Sequence, residues 1–438
     1  MGIWQLSKAA IIMHNTASQL ITRLIGTGAT FLITLMIARS YGLVLYGDFT
    51  KITTFVALFY ILTDFGMNAV YLQKSREQEP DGVHWQSLLG TRIILSLVLL
   101  FLCTGLLVFL PTGVGRGYTA FVKFGILLYS LTILFHGIIT SANAYFQKKL
   151  RYELATLAVA AGSVVSVILV YLGTYIFLPP AGLLFSVISL AIGALISAAC
   201  SAALVRGQVQ TLIPHLTVSR ILPLLRDSLP LALTLVFNLV YFRIDILILT
   251  ITRSTVEVGV YGLAYKFFEF ALVIPTFFMN SLYPILLGAV GRESDAGAGE
   301  IKLQPEFVRM IRNAGLALLI FSMVVLVIYM TMAPYLTLIN RQFSESVRAL
   351  RILSLSLPLF FLSSLGMWVL VTLRRQRLLV GIYFSAMLIN IVLNLIFIPS
   401  HGYIAAAVIT GVTEVVVLVS SFWVIFNLLR FPKRRESA

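Results

Sequence analysis

The chain has 438 residues, 59% of them hydrophobic and only 11% charged, with a formal net charge of +15. An ordinary soluble domain carries about 25% charged residues, so this composition excludes a soluble globular protein and points to the bilayer. No G-x-x-x-x-G-K-[ST] phosphate loop occurs, and the five histidines and two cysteines show no metal-ligand spacing. The sequence therefore offers no nucleotide engine, no metal site and no set of catalytic residues.

Apolar runs of about 20 residues, the length that crosses a bilayer, repeat from end to end. The opening MGIWQLSKAA lacks a cleavage pattern and reads as an interfacial lead-in, and Gly2 lacks the downstream hydroxyl that N-myristoylation needs. Twelve spans follow. The first two, 14–38 and 44–72, carry Arg23 and Asp64; GTGATF (26–31) lies inside the first and has no preceding strand to make it a nucleotide motif. Spans 86–110 and 119–146 hold Cys103 and His136, with GVGRG (113–117) as the turn between them. Spans 153–177 and 181–205 complete the first half, and Cys200 in the last of these is read, like Cys103, as packing. After the segment 206–227 come 228–251 with Arg243 and Asp245, and 257–287 with Lys266, Glu269 and Pro275. Spans 306–332, 348–373 (with Pro358), 377–398 (with Asn390 and Asn394) and 402–429 (with Glu414) close the chain.

The halves repeat. FGMNAVY (65–71) recurs as FFMNSLY (277–283), FLPPAG (177–182) as FIPSHG (397–402), and a Tyr46-Gly47 turn as Tyr261-Gly262, each preceded by an arginine, Arg39 or Arg253. Landmarks in one order at nearly the same offset mark a duplication, and duplicated membrane halves mean a transporter with its site between them. The predicted fold is all-α and integral to the membrane, with about twelve transmembrane helices in two parallel-repeat six-helix bundles around a central cavity. The predicted divisions are an N-terminal bundle over 1–205, a cytoplasmic linker over 206–227, and a C-terminal bundle over 228–438 with a short basic tail. The longest polar connections, 73–86 and 288–305, fall at equivalent places.

With both ends in the cytoplasm, 21 Lys and Arg fall on the inner side and 8, Lys51 among them, on the outer. That is the positive-inside bias, and it accounts for the basic surplus without nucleic acid. Arg92 is counted with the inner cations. Trp4, Trp85, Trp368 and Trp423 map near the inner interface, where indole rings favour the headgroups.

Seven charges remain within spans: Arg23, Asp64, Arg243, Asp245, Lys266, Glu269 and Glu414. Each costs about 2.5–3.5 kcal/mol at a helix centre, so facing lipid they would cost roughly 20 kcal/mol together. They must face protein or water. Lys266 and Glu269, three apart, can neutralise each other, whereas Arg243 and Asp245, two apart, cannot share a face. Asp64 precedes Gly66 and can cap or bind a neighbouring helix. Asn390 and Asn394 suit interhelical hydrogen bonding or a polar cavity, and His136 suits packing. Pro275 and Pro358, read as the prolines well inside spans, are candidate hinges.

Several of these segments resemble a known family. RSYGLVLYG (Arg39–Gly47) is similar to the signature after the first helix of bacterial polysaccharide transporters, and Asp64-Phe65-Gly66 to their second-helix motif. Arg243-Ile244-Asp245, Val258–Tyr261 and Ala264–Lys266 resemble their helix 7–8 region; Asn390, Asn394, Ile398-Pro399, Gly402 and Ala405–Ala407 resemble their helix 11–12 signature. The chain thus resembles the polysaccharide branch of the multidrug/oligosaccharidyl-lipid/polysaccharide exporter (MOP) superfamily, the Wzx-type flippases. The two extra C-terminal helices common in the related lipid II flippases are missing.

The resemblance implies a non-enzymatic flippase of the bacterial inner membrane with both termini cytoplasmic. Its cargo would be undecaprenyl-pyrophosphate-linked oligosaccharide (an O-antigen, capsule or exopolysaccharide unit), moved from inner to outer leaflet by alternating access. Its partners would be membrane lipid and other polysaccharide-assembly membrane proteins. Fixed cations suit a pyrophosphate, which makes Arg23, Arg243 and Lys266 the candidate substrate ligands. Asp64, Asp245 and Glu269 are candidates for Na⁺ or H⁺ coupling, with no other cofactor expected. A cation-coupled multidrug antiporter of the same superfamily is the alternative reading. A membrane-embedded polysaccharide polymerase or ligase fits less well, because the outer loops are short.

Overall fold

A computed structural model describes residues 2–74, 81–113, 115–209, 212–289 and 305–430. Of the predicted inner loop 73–86, residues 75–80 lie outside the described residues and the helix Asp81–Leu106 takes up 81–86; most of 288–305 and of the basic tail also lies outside them. The chain is 89% helical. Among the described residues nine helices are long and apolar enough to cross a membrane, but two are far too long to cross only once. Ala17–Leu72 has 56 residues, about 84 Å at 1.5 Å per residue, against a hydrocarbon core of about 30 Å. It breaks at Gly42, with φ 74°, a conformation that a side chain rarely tolerates. Gln376–Leu428 has 53 residues and breaks in the same way at Gly402, φ 59°. Arg341–Ser354 and Leu357–Thr372, bent by 42°, form one further span. Among the described residues the chain therefore has twelve spans, as the sequence predicts.

The break at Gly42 corrects one expectation. Tyr46 and Gly47 are helical, as are Tyr261 and Gly262, so the repeated Tyr-Gly pair is a packing element. A Cβ on Gly47 would stand 2.2 Å from the Thr255 carbonyl oxygen, and one on Gly259 would stand 2.5 Å from that of Leu43. Two helices meet here backbone to backbone. The second span is interrupted at Phe65 (φ 46°) and Gly66 (φ 71°), where a Cβ on Gly66 would meet Leu231 Cβ at 2.4 Å.

By backbone contact the chain forms two compact units. One comprises 1–239 with 250–259, the other 240–249 with 260–438. In the first, Tyr152–Ile176 packs along Ala181–Arg206 through a seam of small residues: Gly162, Ser166, Gly193 and Ser197. Lipid tails are as apolar as leucine, so helices in a bilayer associate through close backbone approach rather than burial of apolar surface. A short hairpin, Thr112–Gly113 against Arg116–Gly117, forms the GVGRG turn. Trp85 is buried among Met67, Leu88 and Tyr145, donating to the Ser141 carbonyl at 3.0 Å, whereas Trp423 is exposed. Both cysteines are free.

The seventh span begins at Val218, earlier than the predicted 228, so Pro223 and Pro230 both lie inside the helix. Pro275 and Pro358 are therefore not the only prolines within helical spans. Both still sit at breaks. The eighth span is split at Leu272, between Thr255–Ala271 and Val273–Ala289, where Pro275 removes a donor and its ring crowds the Ala271 carbonyl. Pro358 opens Leu357–Thr372, just past the 42° bend.

The small-residue seam generates a test. A Cβ on Gly193 would lie 1.8 Å from Ser166 Oγ and 2.6 Å from the Gly162 carbonyl oxygen, whereas around Gly28 nothing lies within 4 Å. Gly193→Val is expected to cost about 3 kcal/mol or more through overpacking, with a clear fall in Tm in detergent. Gly28→Val should leave Tm nearly unchanged. Equal behaviour of the two variants would count against the seam.

Candidate functional site

The second unit gathers three of the predicted residues into one cluster. Arg243 lies on the helix Val218–Thr252, and Lys266 and Glu269 lie on Thr255–Ala271. Glu269 binds both cations, with Oε1 2.6 Å from Arg243 Nη2 and Oε2 3.0 Å from Lys266 Nζ. The guanidinium also lies over the Tyr265 ring, 5.8 Å from its centroid, a favourable placement for a delocalised cation. Tyr265 is fixed in turn by donating to the Phe242 carbonyl at 3.0 Å. Within these three side chains, two cations share one carboxylate. The side chains are 18%, 26% and 30% exposed for Arg243, Glu269 and Lys266. The cluster is thus open enough for an anion to reach it.

Asp245 parts from Arg243, as their spacing requires. It is buried, accepts from the Ile246 N–H at 2.7 Å through Oδ1, and accepts from the Tyr261 hydroxyl through Oδ2. Tyr261 also lies 3.3 Å from Thr410 Oγ1. Asn390 joins the eleventh span to the twelfth, and Asn394 steadies it from one turn along. Asn390 donates to Thr413 Oγ1 at 3.1 Å, and Asn394 donates to Asn390 Oδ1 at 2.9 Å. Glu414, to which the sequence assigns no role, is 2% exposed and hydrogen-bonds to the Tyr241 and Ser363 hydroxyls.

In the first unit, Asp64 is not free. Arg92 Nη2 donates to Asp64 Oδ1 at 2.7 Å and to Asn68 Oδ1 at 2.8 Å. Sequence counting had placed Arg92 with the inner loop cations, yet it is fully buried, and its Nε and Nη1 have no partner. Lys51, counted with the outer cations, is also buried. Its ammonium donates to the Gly117 carbonyl at 3.0 Å and to Thr255 Oγ1 at 2.5 Å, with Asp48 at 3.5 Å. The available signals were local: Lys51 follows Asp48 by three residues, and Arg92 sits several residues into an apolar run. Arg23 is exposed and has no ion pair among the described residues. His136 packs on Tyr60 and shares a 3.0 Å hydrogen bond with Thr63. Among the described residues no cluster of three or more His, Cys, Asp or Glu could hold a metal.

With this geometry in hand, comparison with known proteins is informative. The family model described as "Polysaccharide biosynthesis protein" matches residues 12–288, more than half of the chain. The chain belongs to the polysaccharide biosynthesis protein family. A second model, MatE, matches 230–396. No individually curated protein matches in sequence. Among solved structures, the lipid II flippase MurJ in an inward closed conformation matches with TM-score 0.74 at 14% identity, over 94% of this chain and 87% of that one. An inward-facing multidrug resistance MATE transporter of the MOP superfamily matches with TM-score 0.69 at 13% identity, over 95% and 100%. A MOP superfamily transporter from Pyrococcus furiosus, described as having a binding pocket of reversed polarity, matches with TM-score 0.61 at 14% identity, over 96% of each chain. At these identities the likeness establishes the twelve-helix, two-lobe MOP fold. This member of the polysaccharide biosynthesis family is accordingly a multi-pass membrane protein of the flippase and transporter superfamily.

The Arg92–Asp64 pair yields a stability prediction. Asp64→Asn leaves a buried guanidinium without counter-charge, a loss of up to about 3 kcal/mol once the 31% exposure of Asp64 is allowed for. Arg92→Met combined with Asp64→Leu should recover most of that Tm, because no buried charge is left unpaired. A double variant no more stable than Asp64→Asn would contradict a purely structural pair.

Proposed function

We propose that the protein is a flippase moving undecaprenyl-pyrophosphate-linked oligosaccharide from the inner to the outer leaflet of the bacterial inner membrane by alternating access, with both termini cytoplasmic. The observation that carries this reading is the partly exposed Arg243–Glu269–Lys266 cluster, whose three side chains together carry one positive charge. A pyrophosphate offers more acceptor oxygens and more charge than one carboxylate. It can therefore take the Arg243 fork and the Lys266 ammonium from Glu269. Arg23, exposed on an apolar span, serves as a further cation facing water rather than lipid, since lipid exposure costs about 2.5–3.5 kcal/mol. The polyprenyl tail stays in the bilayer while the polar head crosses, and the breaks at Pro275 and Pro358 are the hinges.

Ion coupling follows from the same contacts. While cargo is absent Glu269 holds both cations; when cargo takes them, Glu269 is released to bind H⁺ or Na⁺. Cargo and ion are then linked reciprocally. Asp245, buried beside the cluster, is the second coupling group, and Asp64, held by Arg92, is the least suited of the three. The MatE match over 230–396 supports an antiporter as the second reading. In that case the carboxylates rather than the cations would meet the cargo.

Reconstituted vesicles separate the two readings. Purified protein should speed the movement of a lipid-pyrophosphate sugar between leaflets and leave a lipophilic cation untouched. Arg243→Gln and Lys266→Gln should each slow this movement about tenfold or more, as expected for losing a charge-assisted hydrogen bond of about 1.5–3 kcal/mol. Transport of the lipophilic cation alone, or full flipping by both Gln variants, would overturn the assignment.

A further inference from the structure

Glu414 lies on the last span, deep in the second unit, and the function proposed above does not use it. Its side chain is buried, and among the described residues no Lys, Arg or His nitrogen lies within ion-pair distance. Its partners are two neutral hydroxyls. Tyr241 donates to Oε2 at 2.6 Å, and Ser363 Oγ lies against Oε1. Ser363 has a second outlet, because its hydroxyl is 3.2 Å from the Phe360 carbonyl oxygen. The hydrogens can be placed in full for a carboxylic acid: Tyr241 donates to Oε2, the acid proton on Oε1 goes to Ser363 Oγ, and Ser363 donates to Phe360. For a carboxylate, a full negative charge would sit out of water on two neutral donors, an arrangement buried charges rarely adopt.

The groups facing Glu414 favour the same state. On the seventh span these are Tyr241 and, one turn along, Asp245; on the eighth, Tyr265. On the eleventh span Tyr383 lies with its ring 6.5 Å from that of Tyr241. Leu357–Thr372 contributes Ser363 and has no titratable side chain. Ser344–Ser354, packed on the same last span, carries Glu345, Arg348 and Arg351, but Glu345 binds Tyr403, eleven residues from Glu414 or about 16 Å along the helix. Arg243, between Tyr241 and Asp245 in sequence, lies over the Tyr265 ring and pairs with Glu269, so the groups that touch Glu414 itself are neutral.

Asp245 is a second buried carboxyl, held by the Tyr261 hydroxyl and by the Ile246 backbone N–H. The two carboxyls also stand one turn apart on matched helices. Asp245 is level with Tyr261 and Thr410, and Glu414 is level with Tyr241 and Ser363. We propose that Glu414 is a proton-binding site of this bundle, occupied at neutral pH. A role for that proton in coupling rests on the transporter reading above; the site itself does not.

Infrared absorption of the purified full-length protein in deuterated buffer tests the site without any cargo. A protonated-carboxyl C=O band is expected at neutral pD. It should be lost in Glu414→Gln and kept in Asp245→Asn, and Tyr241→Phe should shift its frequency by removing one hydrogen bond. No band in the wild type, or an unchanged band in Glu414→Gln, would overturn the proposal. If Glu414→Gln does not fold, Glu414→Asp replaces it: a shifted band supports the site and an unshifted one refutes it. Vesicles that fail to flip lipid-linked sugar while the band is present would count against the transport reading alone, and flipping without the band against this inference alone.

Discussion

Glu269 accepts from Arg243 on one oxygen and from Lys266 on the other, and much of the second unit is arranged around that shared carboxylate. Without it, two like charges on adjoining helices would repel each other across a medium that screens poorly. With it, the helices are tied together, and the three side chains together carry one positive charge. Such an arrangement holds in the resting state and yields to a stronger anion. The Tyr265 ring beneath the guanidinium and the Phe242 carbonyl that holds Tyr265 keep the fork in place.

The first unit handles buried charge differently. Arg92 is sealed, with Asp64 and Asn68 on one nitrogen and no partner on two others. Lys51 uses its ammonium to hold the Gly117 strand and Thr255. These cations fix helices and loops, whereas those around Glu269 remain within reach of water. Burial, not residue type, separates the structural cations from the candidate ligands.

The sequence made the spans legible because a 20-residue apolar run has few alternatives in water or lipid. The Lys266–Glu269 pair was legible because i,i+3 contacts are fixed by helix geometry. What Glu269 does with Arg243 was not, since it depends on how two helices are rotated against each other. Arg92 and Lys51 were misread for the same reason: a loop count sees position along the chain, not depth. The repeat also hid a difference. Gly66 permits a break with positive φ where Phe278, its counterpart, continues a helix. Glu414 escaped notice because its partners, Tyr241 and Ser363, lie 173 and 51 residues away.

The central claim is that Glu269 competes with cargo for Arg243 and Lys266, and equilibrium binding tests it most directly. A lipid-pyrophosphate sugar would be titrated into wild-type protein, Glu269→Gln and Arg243→Gln in nanodiscs. Removing the competing carboxylate should tighten binding several-fold, whereas removing the fork should weaken it about tenfold or more, the loss expected for a charge-assisted hydrogen bond. Binding by Glu269→Gln that is no tighter than wild type would contradict the account.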